Sequence, residues 1–166
     1  MLIASKSIVL NVNGEQHRID AGPVETLADV LREKLGLAGT KIMCDEGACG
    51  SCTVLIDGKP ALSCLMLAIE CEDKDILTIE GLASTNTGEL HPVQKAFVEH
   101  SGMQCGMCTP GMILTAKAML DENKNPTEDE VREALAGNLC RCGNYKRITE
   151  SVLAAARDIL GVTENV

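Results

Sequence analysis

Eight of the nine cysteines in this chain fall into two groups whose spacing suits metal ligation. In "CDEGACGSC", Cys44, Cys49 and Cys52 follow a C-x4-C-x2-C pattern, the spacing of a plant-type [2Fe–2S] site. A fourth ligand must come from downstream. Cys64 is the next cysteine, expected on the strand after an Asp57-Gly58 turn. Gly47 and Gly50 let the loop take positive φ and bring backbone N–H groups close to sulfur, where they offset the charge of a four-thiolate centre. A four-cysteine zinc site is the competing reading. Zinc knuckles, however, usually pair two short turns, whereas three ligands here share one glycine-rich loop.

The second group begins with "NLCRCGNY", in which only Arg141 separates Cys140 from Cys142. A disulfide across so small a ring would force poor torsions at both sulfurs. "QCGMCTPG" supplies two more thiols, Cys105 and Cys108, and each pair directly precedes a predicted helix. Helix N-termini offer free N–H groups and a positive dipole end, both favourable to thiolates. Two helix starts aimed at one point would make a closed four-sulfur cage. Spacing alone leaves zinc and iron–sulfur both open here.

The elements that must hold these groups divide the chain in two. Residues 1–81 are strand-rich. "KSIVLNVNGEQHRID" reads as a hairpin around Asn13-Gly14, and "TVLIDGKPALSCLM" as another around Asp57-Gly58. "TLADVLREKLG" predicts a helix burying Leu27, Val30, Leu31 and Leu35 and stopping at Gly36, and "DILTIEG" a last strand. Residues 88–160 read as four short helices: one from Pro92 to about His100, one capped by Thr109 with Pro110 first, one from the Thr127/Glu130 capping box to Gly137, and a last one over "YKRITESVLAAARDIL". "GLASTNTGELHP" (81–92) is the linker candidate. The expected architecture is a small mixed sheet with one helix across a face, followed by a helical bundle.

A net charge of −9 argues against a nucleic-acid surface and favours a protein partner with a basic face. No stretch approaches the roughly 18 apolar residues of a membrane span, and no signal peptide is visible. A cytoplasmic location follows by default, where thiols stay reduced and nine cysteines read first as ligands.

Taken together, C-x4-C-x2-C-x11-C, then Q-C-G-x-C-T-P-G and G-N-L-C-R-C resemble the iron–sulfur subunit of molybdenum hydroxylases, the xanthine oxidase family, over nearly the whole chain. The resemblance implies an α+β protein: an N-terminal β-grasp, plant ferredoxin-like domain (1–81), then linker and four-helix bundle (82–166), each with one [2Fe–2S] cluster. Cys44, Cys49, Cys52 and Cys64 would bind the first cluster, and Cys105, Cys108, Cys140 and Cys142 the second. It further implies a molybdopterin-bearing large subunit beside the second cluster and a FAD-bearing medium subunit beside the first, in a heterotrimer or a dimer of heterotrimers. Gln104 matches the glutamine that hydrogen-bonds the pterin, and Cys142 the ligand whose sulfur approaches the pterin amino group. The implied function is one-electron relay, with no substrate-converting site in this chain. The rival functions are an independent ferredoxin-like carrier and a zinc-stabilised interaction module. One departure stands out: where the family usually reads R-C-T-G-Y, this chain has Arg141-Cys142-Gly143-Asn144-Tyr145. Restoring threonine at 143 is expected to shift the potential of the second cluster alone.

The remaining candidates have plainer readings. Cys71 is expected in the core, and His17, His91 and His100 as surface or capping residues. Met103, Met107, Met112 and Met119 are expected to pack around the second site. Arg141, Lys146 and Arg147 are candidates to offset cluster charge or meet a partner.

Overall fold

A computed structural model describes residues 5–84 and 87–162. Lys6–Val12 (β1) and Glu15–Ala21 (β2) form an antiparallel hairpin. Asn13 and Gly14 turn it with φ of 55° and 82°, the left-handed pair that matches strand twist. Asp57 and Gly58 (φ 50° and 80°) do the same for Thr53–Ile56 (β3) and Lys59–Leu62 (β4). Asp75–Leu77 (β5) runs parallel to β1 and antiparallel to β3, which completes a mixed sheet in the order β2-β1-β5-β3-β4. The rest of "DILTIEG" leaves the sheet, since Thr78 is tied to the Asn13 side chain (2.9 Å) and Ile79–Gly81 form a tight helical turn.

The helix across the sheet is regular for only one turn, Leu27–Asp29 (α1), held by a capping box between Thr26 and Asp29. From Val30 to Lys34 the coil widens, and Leu35 N–H reaches back five residues to the Val30 carbonyl (3.1 Å). Leu27, Val30 and Leu31 are still buried, with Leu35 partly so, packed with Ile8, Leu10, Val12 and Ile76. Cys71 joins this core, its thiol donating to the Leu67 carbonyl at 3.5 Å while burial pushes its pKa up.

Every residue of β3 is buried because both faces of the strand are covered. Val54 and Ile56 face the α1 side. Leu55 packs instead with Leu114 and Ala118 of the long bundle helix Thr109–Glu122 (α3). Pro92–Glu99 (α2), Glu128–Ala134 (α4) and Tyr145–Leu160 (α5) complete the bundle around Phe97, Met112, Leu120, Val131, Ile148 and Val152. Three boundaries differ from expectation. Cys108, not Thr109, caps α3. The helix α4 ends at Ala134 rather than Gly137, its exit tightened by Asn138 N–H bonding the Leu135 carbonyl (2.9 Å), which turns the Asn138 side chain inward. Cys64 lies in a tight turn just past β4 rather than on the strand, where Ser63 Oγ donates to the Cys52 carbonyl (2.6 Å). Of the linker candidate, residues 85 and 86 lie outside the described residues. Among the described residues no helix is long and apolar enough to cross a membrane.

His91 caps α2, its Nδ1 accepting from Val93 N–H at 3.3 Å. That bond requires an unprotonated Nδ1. Burial and then the nearby Lys117 charge hold the His91 pKa below its ordinary value, against a smaller opposing pull from Asp121. A depressed histidine pKa means the unfolded chain takes up the proton first. Stability is therefore full above about pH 6.5 and falls as pH drops through the folded value. Thermal midpoints measured from pH 7 to pH 5 should fall, and the fall should flatten in His91→Asn, which keeps a capping side chain without the titration.

Candidate functional site

The two cysteine groups assemble at the junction of sheet and bundle. In the first, Cys44 neighbours Cys49 and Cys52 neighbours Cys64, each close enough for one thiol to act on the other's pKa, and Cys64 also feels the charge of Cys44. The Glu46 N–H, the Cys49 thiol and the N–H groups of Cys49 and Ala48 bring Cys44 down to about 7, outweighing burial. This is the anion-binding loop expected from the glycines: Gly47 and Gly50 have φ of 78° and 70°. Cys64 is pushed up to about 12, chiefly by burial and by the Cys52 thiol, although Gly47 N–H donates to it.

The second group repeats the arrangement. Cys105 pairs with Cys142, and Cys108 with Cys140. Burial, followed by the Cys140 thiol, pushes Cys108 up to about 12. Burial acts upward on Cys140 too, but the Asn144 N–H, the Cys108 thiol and the N–H groups of Cys142 and Gly143 outweigh it and lower the pKa. The donors come from the loop ahead of α5 and its N-cap residue, rather than from the first turn of the helix, where they were expected. Cys105 is lowered by Met107 N–H and the Cys142 thiol. Cys142 accepts the Cys105 N–H, yet the Cys105 thiol and burial leave it raised. Cys105 and Cys142 are exposed, whereas Cys108 and Cys140 are buried.

In both groups the thiols thus act on one another two by two. Among the described residues no three His, Cys, Asp or Glu side chains converge to hold a single metal ion. Two thiolates for each of two irons is the ligand set of a [2Fe–2S] centre, and the aimed N–H groups suit its negative charge. A buried hydroxyl beside Cys108, Thr109 Oγ1, has no hydrogen-bond partner among the described residues, and a cluster acceptor there would satisfy it.

The two groups meet across a polar seam that the sequence did not announce. Leu139 N–H donates to the Cys49 carbonyl at 2.9 Å, which joins a residue of the first group to the neighbour of Cys140. Beside it, buried Asn138 donates to the Gly50 carbonyl (2.9 Å) and accepts from Thr115 Oγ1 (3.0 Å). A side chain on Gly111, in the first turn of α3, would collide with that same Gly50 carbonyl. Tyr145 OH accepts from Cys140 N–H at 2.9 Å, a contact for which only the adjacency of Tyr145 to the motif gave a signal.

Other candidates sort as follows. Met112 is buried and Met119 packs on the bundle core, but Met103 and Met107 are exposed beside Cys105, so packing accounts for only two of the four. Lys146 and Arg147 pair with Glu150 on the surface (3.9 and 3.1 Å). His17 is half-buried and His100 closes α2.

Gly143 has φ of 72°, with open space where a Cβ would stand. Beyond any shift in the potential of the second cluster, threonine there meets a left-handed backbone, which is strained for a branched side chain. Gly143→Thr should lower stability by about 1–2 kcal/mol. Gly143→Asn should fall well short of that, and thermal melts of the two variants separate the cases.

Residues 10–78 match the family described as "2Fe-2S iron-sulfur cluster binding domain", and residues 78–153 match the "[2Fe-2S] binding domain" family. The chain is 47% identical over 146 residues to the nicotinate dehydrogenase small FeS subunit of Eubacterium barkeri, covering 88% of this chain and 92% of that protein. It is 45% identical over 152 residues to the nicotine 6-hydroxylase small subunit of Paenarthrobacter nicotinovorans, covering 92% and 90%. A chain in the crystal structure of quinoline 2-oxidoreductase from Pseudomonas putida 86 superposes with a TM-score of 0.88 at 44% identity, over 96% of this chain and 99% of that one. With two [2Fe–2S]-binding domains in this order and these relatives along its length, the chain belongs to the iron–sulfur small subunits of the molybdenum hydroxylase family, the electron-transfer subunits of oxidoreductase complexes.

Proposed function

We propose that Cys44, Cys49, Cys52 and Cys64 ligate one [2Fe–2S] cluster and Cys105, Cys108, Cys140 and Cys142 a second. On this reading residues 1–81 and 82–166 are the two cluster-bearing domains. The chain relays electrons between a molybdopterin-bearing large subunit and a FAD-bearing medium subunit, in a heterotrimer or a dimer of heterotrimers in the cytoplasm. When bound, each cluster supplies a one-electron carrier. The chain's own residues do the rest: thiolates hold the irons, loop N–H groups offset their charge, and the seam fixes one site against the other.

The observation that carries this reading is the Leu139–Cys49 hydrogen bond. It provides a short backbone route from a ligand of one site to the neighbour of a ligand of the other. Exposed apolar side chains flank both ends, Met43 and Leu65 near the first site, Met103 and Met107 near the second, as docking surfaces for partners require.

Iron and acid-labile sulfide should each come to about four per chain, with two distinguishable signals on reduction. Zinc in place of iron, without visible absorption, would overturn the cluster assignment. Native size exclusion separates the partner assignment, which fails if the chain runs alone in extract.

A further inference from the structure

Asn144 occupies the N-cap position of α5 but does not cap it. Its side chain is buried and crosses to the loop that carries the other cysteine pair. Nδ2 donates to the Ser101 carbonyl at 3.0 Å, and Oδ1 accepts from Gln104 Nε2 at 3.2 Å. A backbone carbonyl can only accept, so the Ser101 contact sets which end of the Asn144 amide is which. Oδ1 is thereby turned to Gln104, and the exposed Gln104 must offer its NH2 inward. The Gln104 carbonyl oxygen is left without a partner among the described residues. The adjacent Cys105–Cys142 pair joins the same two loops, so the amide chain and the outer thiols form one exposed lip.

From this hydrogen-bond polarity we infer that Asn144 is a positioning residue. It holds the Gln104 carboxamide with its oxygen presented beside Cys142 as an acceptor for an amino-bearing heterocycle, the edge a pterin-type cofactor of the large subunit would offer. The inference deepens the proposed function and rests on it. It also gives the motif's departure a purpose: Gly143 supplies the left-handed turn, and Asn144 follows it into the contact with Gln104.

The test uses the assembled complex with Asn144→Ala, Gln104→Ala and the double variant. Three readouts are compared: iron content, the rate at which substrate reduces the second cluster, and the EPR splitting between the large subunit's metal and that reduced cluster. Because Asn144 acts through Gln104, each single variant should slow the step roughly 10-fold, the scale on which partners orienting a ligand act. Both should alter the splitting, and the double variant should be no worse than either. Effects that multiply in the double variant would show two separate roles and overturn the inference. A silent Asn144→Ala beside an impaired Gln104→Ala overturns it too. A silent Gln104→Ala defeats the placement of the partner cofactor at this lip instead. If Asn144→Ala loses iron, Gln104→Glu severs the same contact from an exposed position while keeping an acceptor. Slowing supports the assignment, and wild-type rates refute it.

Discussion

Placing a methyl group on Gly111 is expected to wedge α3 away from the first cysteine loop and lower stability by about 3 kcal/mol, the upper end of overpacking costs. The new Cβ would meet the Gly50 carbonyl oxygen, a backbone atom with little freedom to move. That oxygen already accepts from Thr53 N–H (3.2 Å), Thr53 Oγ1 (2.7 Å) and Asn138 Nδ2 (2.9 Å). Relief must therefore come from movement of the whole helix. That movement strips Leu114 and Ala118 from Leu55 and disturbs Cys49 and Cys52 on either side of Gly50. The temperature at which visible absorbance is lost should fall by roughly 10 °C, with the first site losing iron before the second. An unchanged midpoint would mean the seam yields more readily than its hydrogen bonds imply.

Asn138→Leu should be nearly as damaging for the opposite reason, since it removes contacts and adds no clash. Thr115 Oγ1 loses its acceptor and the Gly50 carbonyl loses a donor, both in buried surroundings. The Gly50 carbonyl keeps its two bonds from Thr53, so the main loss is the unmatched Thr115 hydroxyl, which costs about 1–3 kcal/mol. Asn138→Asp is a sharper probe of the same site. It keeps an acceptor for Thr115 but turns a carboxylate oxygen toward the Gly50 carbonyl, so it should destabilise more than leucine despite being isosteric. The expected order of thermal midpoints is wild type, then Leu, then Asp. A milder Asp variant would contradict the assigned amide orientation. Both substitutions loosen the turn that aims Leu139 N–H at the Cys49 carbonyl. Electron exchange between the two sites should slow with the loss of stability, as flash or stopped-flow reduction would record.

What could be read from the sequence was local. Asn13-Gly14 and Asp57-Gly58 announce their hairpins because each turn needs only its own two residues. The cysteine motifs were legible because each keeps its cysteines close in the chain, and the paired motifs specify a family. Contacts across long separations were not legible. Asn138 meets Gly50 at 88 positions' distance, and Asn144 meets Ser101 and Gln104 at 43 and 40. Nothing in a short window says that an asparagine two residues from a cysteine will turn inward. The widened coil after α1 and the early end of α4 escaped for a related reason: each follows from what the next loop must reach, not from helix propensity. Thr109 fits an N-cap by composition, yet Cys108 takes the position and leaves the threonine hydroxyl buried.

The double burial of β3 has a consequence for how the molecule can be made. The buried residues that cover Leu55, Leu114 and Ala118, both lie in α3, which the ribosome delivers more than fifty residues later. Until then the emerging sheet carries a bare greasy stripe, and the first cysteine loop lacks the neighbours that brace Gly50. The N-terminal half is therefore not a detachable ferredoxin. A chain cut after residue 81 should be sticky and slow to retain iron, and maturation of the first site should wait for synthesis of the second half.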